Sequence, residues 1–232
     1  TAWDGDRNAV MTQIMQASAQ AHPMERAYAA AYNRTRSEAA TVRDALEAAP
    51  ALQTAFPQTG LASQLRMIAR LIQIRAAMGM KRQIYFVGMG GFDTHDFQMP
   101  GHAELLSTVS QAISAFYQAT TELGVAQAVT TFTASDFGRT LSSNGDGSDH
   151  GWGSHHLIVG GAVNGGRFYG KMPALVNDGP QDVGWGQIIP TTSVDQYAAT
   201  LARWFGVADS ELALIFPNLA NFEQRTLGFM PV

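Results

Sequence analysis

Gln83-Ile84-Tyr85-Phe86-Val87-Gly88-Met89-Gly90-Gly91-Phe92-Asp93-Thr94-His95 is the stretch on which the fold turns. Its first half is short, apolar and rich in β-formers, and it runs into glycines: a buried strand opening into a loop. Downstream, Leu105, Leu106, Val109, Ile113, Phe116 and Tyr117 recur at helical spacing, and Gly124 stops the run. Ala128 to Thr133 predicts a second strand and Leu157 to Gly161 a third. Strand, helix, strand with a helix-length connection implies an α/β domain with a mostly parallel sheet flanked by helices. In such sheets ligands collect beyond the carboxyl ends of the strands, which here are Asp93 and Asp136.

Upstream of Arg82 the pattern is helical. Val10, Met11, Ile14 and Met15 share a face. The Ala/Arg/Glu-rich sequence from Met24 to Ala49 favours helix, and Leu65, Ile68, Leu71, Ile72 and Met78 follow before Gly79. We therefore divide the chain into a helical segment, residues 1–80, and an α/β domain, residues 81–232. Asn164-Gly165-Gly166 has turn chemistry. Ser193 or Asp195 caps a helix through Tyr197, Leu201, Trp204 and Phe205, closed by Gly206.

Composition narrows the classes. The 232 residues are 46% apolar, enough for one sizeable core. A net charge of −4 without a Lys/Arg run argues against nucleic-acid binding. No stretch approaches the roughly 18 apolar residues of a membrane span. Cysteine is absent, which removes disulfides, thiolate ligands and cysteine nucleophiles.

Five of the six histidines lie between Asp93 and His156, among acids and glycines. Imidazoles and carboxylates at loop positions point to a divalent cation held by N and O ligands. Asp93 and His95 form one candidate pair, and Asp149 and His150 another. Asp136, just past a strand, either binds metal or pairs with Arg139, whose fork of donors otherwise suits an anionic substrate. His22 and His102 read as structural. The triplet Asp136-Phe137-Gly138 lacks the rest of a kinase pattern, and no Gly-x-Ser-x-Gly elbow supports a serine hydrolase.

The order Gly91-Phe92-Asp93-Thr94-His95, Ser135-Asp136-Phe137-Gly138-Arg139-Thr140, Asp149-His150-Gly151-Trp152-Gly153 and Ile189-Pro190-Thr191-Thr192-Ser193 resembles the bacterial "domain of unknown function 1501" family. The resemblance implies the alkaline-phosphatase-like fold of sulfatases and phosphatases. It implies metal ligands at Asp93, His95, Asp136 and His150. Taken with the residue reading, the expectation is Zn or Mn held by Asp93, His95 and His150 with Asp136 or Asp149 completing the site, and Arg139 meeting a small anionic phosphate or sulfate ester. The resemblance also implies export to the periplasm or beyond. Phe137 stands where that superfamily has a histidine ligand, and no counterpart of its first strand and nucleophile is found. The chain is accordingly expected to be a C-terminal part of a longer protein or a processed product. The alternative expectation is a non-catalytic exported or surface-associated protein that keeps the fold and docks a protein partner or a missing N-terminal segment.

Overall fold

The computed structural model describes residues 2–18 and 22–231. Six helices carry most of its regular structure: α1 (Ala2–Ser18), α2 (Pro23–Ala48), α3 (Gly60–Gln73), α4 (Gln98–Glu122), α5 (Val194–Phe205) and α6 (Asp209–Ile215). Four short strands join them: β1 (Thr130–Phe132), β2 (Gly138–Ser143), β3 (Ser148–Gly151) and β4 (Ile158–Gly160). The mostly parallel, alkaline-phosphatase-like sheet expected above is not there. β1 pairs antiparallel with β4, Thr131 opposite Val159, and β2 pairs antiparallel with β3, giving two separate two-stranded sheets.

The reason lies in two places. Residues 83–87 are not part of any strand, and Ile84 and Phe86 project into solvent at 79% and 93% exposure instead of being buried. The neighbour of β1 is β4, brought in by glycine. A Cβ on Gly160 would lie 2.6 Å from the Val129 carbonyl oxygen, and one on Gly161 would lie 2.8 Å from Ala126. Only a bare backbone lets the chain return that close, and the return, through residues 133–157 with the β2–β3 hairpin, brings β4 back antiparallel where a helical crossover would have run parallel.

Two compact units divide the chain. The first comprises residues 1–51 and 70–81, the second residues 52–69 and 82–232. In the first, His22 caps α2 in a capping box with Glu25, the structural part expected of it. Met15, Ala29, Ile72 and Ile74 are buried there, and Arg70 reaches the Leu46 carbonyl at 2.7 Å.

In the second unit, α4 buries Ala112, Ile113, Ala115, Phe116 and Ala119. Ala199 of α5 packs with Leu212 and Leu219. Ser193 and Gln196 form the capping box of α5, and Gly206 ends it in the left-handed region at φ 108°. The C-terminus of α4 is tied down by a charge. The Glu122 carboxylate accepts the amides of Gln53 and Thr54, both at 2.8 Å, and the Thr54 hydroxyl at 2.6 Å.

Those donors hold the Glu122 carboxyl below its ordinary value, the Gln53 amide contributing most. A depressed folded-state pKa means stability that is present above the unfolded value of roughly 4.3 and is lost as pH falls through the folded value. We expect Glu122→Gln to lower the thermal midpoint at pH 7 and to lower it much less at pH 3. An equal deficit at both pH values, by calorimetry, would contradict the ionised contact.

Candidate metal centre

Two loops that are far apart in sequence meet at the site. One is the turn from Gly91 to Phe97, in which the Thr94 amide bonds back to the Phe92 carbonyl. The other is the β2–β3 hairpin, closed by Asn144 to Gly147. Their contact demands glycine at Gly147, where a Cβ would sit 2.0 Å from the His95 carbonyl oxygen. Gln98, at the start of α4, adds a clasp: its amide donates to the Asp146 carbonyl at 3.0 Å, and the Ser148 hydroxyl bonds its side-chain oxygen at 2.7 Å.

Asp93, His95 and His150 converge there. Asp93 Oδ1 is 2.9 Å from His95 Nε2 and 2.7 Å from His150 Nε2. The possible ligand atoms of the three residues lie within 4.8 Å of one another. All three side chains are open to water, between 43% and 63% exposed. Hydrogen bonding from His150 above all, with the charges of both imidazoles, holds the Asp93 carboxyl below its usual range.

Asp149 belongs to the next layer. Its Oδ1 meets His95 Nδ1 at 3.2 Å and also accepts from Asn144 Nδ2 at 3.4 Å. A carboxylate that accepts from Nδ1–H fixes the ring with Nε2 toward Asp93 and His150, the orientation in which a ligand imidazole is held for a cation. Phe137 sets the other ring, stacked on His150 at 3.9 Å between centroids and 4° between planes. The donor set, one carboxylate and two imidazoles, fits a borderline divalent ion. Tetrahedral zinc bonds of about 2.0–2.1 Å would set the donors roughly 3.4 Å apart, so the two Asp–His contacts would open by about half an ångström.

The remaining candidates lie outside the three-ligand set. Arg139 lies next to the cluster with its side chain 18% exposed, 3.9 Å from Asp93. Its guanidinium donates to the Ser148 carbonyl at 2.7 Å and the Phe92 carbonyl at 2.5 Å. It thereby joins both loops. Asp136 is exposed, has no polar partner among the described residues and is not one of the three clustered ligands, although its neighbour Phe137 stacks on His150. His102 packs edge-on against Phe92, and His156 lies against Tyr197.

One contributor escaped the sequence reading. Gln187 donates from its side chain to the His150 carbonyl at 3.2 Å, positioned by a loop that folds around Asp182, whose carboxylate accepts the amides of Asp178, Gly184 and Gly186. The local pattern Asp182-Val183-Gly184-Trp185-Gly186 carries the signal for that turn. Nothing local to Gln187 points 37 residues back to His150.

The profile of a family described as "Protein of unknown function (DUF1501)" matches residues 5–212. The chain belongs to the DUF1501 family. No curated protein and no solved structure matches this DUF1501 chain. The family resemblance therefore holds, while the wider likeness to alkaline phosphatases and sulfatases has no support beyond it.

Because Gly147 must pass under His95, Gly147→Ala is expected to separate the loops and to cost about 1–3 kcal/mol of stability. Denaturant unfolding measures it. A stability equal to that of the parent chain would contradict the close approach.

Proposed function

We propose that Asp93, His95 and His150 hold a divalent zinc or manganese ion and that the chain is a metal-dependent hydrolase of small phosphate or sulfate esters. The observation that carries the reading is the Asp149 carboxylate on His95 Nδ1, which turns the opposite nitrogen toward Asp93 and His150. A hydrogen-bonded surface cluster has no need of that outer carboxylate; a ligand imidazole does. Charge supports it as well. Two carboxylates, Asp93 and Asp149, surround the site against one guanidinium, so a cation is favoured there.

Three protein ligands leave a position for water or substrate, the coordination of catalytic zinc sites. When bound, such an ion polarises an ester oxygen and makes a coordinated water more acidic. The protein's part is orientation. Asp149 and Asn144 fix His95, Phe137 fixes the plane of His150, and Arg139 holds the two loops in register with its positive charge beside the cluster. Openness to solvent leaves room for a small ester to reach the three ligands.

Solvent exposure also favours a second reading, in which the ion only clips the Phe92 to His95 loop to the hairpin. The two readings separate in one experiment. Zinc- or manganese-loaded protein is assayed with aryl phosphate and aryl sulfate esters, alongside His150→Ala and a chelated control. Hydrolysis that falls at least 100-fold in the variant and in chelator supports the enzyme. A metal-dependent rise in thermal midpoint without turnover supports the clip. Turnover unchanged in His150→Ala would remove this site from the chemistry.

A further inference from the structure

We propose that residues 83–90 are a self-complementary pairing edge at which two copies of this chain associate through an antiparallel β-ribbon. Exposure along this segment alternates with period two: Gln83, Tyr85, Val87 and Met89 face partly inward, while Ile84, Phe86, Gly88 and Gly90 are exposed. That alternation is the signature of extended backbone. Yet the segment belongs to no strand, and its backbone amides and carbonyls have no partner among the described residues except at Gly88, whose carbonyl accepts from Gln64 at 3.2 Å.

Two physical demands coincide here. An extended segment with open N–H and C=O groups is a template for another strand. Beside those groups stand Ile84 at 79% and Phe86 at 93% exposure, the two side chains that water solvates worst on this stretch. Natural edges are blunted by lysine, proline or bulges. Between Gln83 and Gly90 this chain has none of the three, and no charged residue either.

The sequence also says what kind of strand fits. In an antiparallel pair centred on Tyr85, Gln83 opposes the partner's Val87 and Ile84 opposes the partner's Phe86. Each copy then gains an aromatic-to-β-branched cross-strand pair, a favoured combination. The symmetry is that of a two-fold, in which the same patch serves both subunits. A second copy therefore pairs the backbone groups along one edge of the segment and gathers both exposed side chains of each chain into one apolar strip.

A ribbon of this length buries little surface, so the dimer is expected to be weak, with Kd on the order of 10 µM. Sedimentation velocity over a concentration series gives the mass, and amide exchange read by mass spectrometry gives the location. We expect monomer at low concentration and dimer at high concentration, with the amides of residues 84–88 slowing as dimer forms. The double variant Ile84→Lys/Phe86→Lys alters only exposed side chains, so it should keep the parent's circular dichroism and stay monomeric throughout. Three results would overturn the proposal: a parent chain that is monomeric at every concentration, a dimer that survives in the variant, or amides 84–88 already protected in the monomer. The last would place a strand of the same chain, not a second copy, on this edge.

Discussion

The candidate centre depends on one part-buried cation. Arg139 sits on β2 with most of its side chain withdrawn from water and spends its guanidinium on two carbonyls, Ser148 in the hairpin and Phe92 in the preceding loop. Hydrogen bonds to a charged donor contribute about 1.5–3 kcal/mol each. Removing the cation would leave both carbonyls short of a partner and let the loops part. Phe137 completes its surroundings, with the guanidinium carbon 5.1 Å from the ring centroid, and the same ring stacks on His150. Arginine, aromatic and imidazole thus form one stack that sets where His150 can be.

From that stack the rest follows in order. With the hairpin held against the Phe92 loop, Asp93 and His95 meet His150, and Asp149, one residue before His150, meets His95 from behind. The bare backbone at Gly147 makes the approach sterically allowed. Each member of the cluster is exposed enough to exchange with water, so its geometry comes from these neighbours and not from burial in a core.

The cluster was legible in the sequence because its residue types are rare and close together. Asp93, His95, Asp149 and His150 could be chosen on chemistry alone. Their separate roles could not. Asp136 and Asp149 look equally qualified in sequence, and only the hairpin register, with Arg139 opposite His150, decides which carboxylate lies beside the imidazoles. Helices read well because caps and periodicity are local: Ser193 and Gly206 act where expected, whereas the capping by His22 was not read from the sequence. The parallel sheet did not, since strand pairing is non-local. Residues 83–87 have the composition of a buried strand, yet β1 takes β4 as its partner, guided by the glycines at 160 and 161.

The most direct measurement is metal content, by elemental mass spectrometry on protein prepared without chelator or affinity tag and then dialysed against Zn²⁺ or Mn²⁺. About one ion per chain, falling to none in Asp93→Ala, is the expected result for a three-ligand site. No ion retained, or the same stoichiometry in Asp93→Ala, would mean that the two imidazoles and the carboxylate bind only each other.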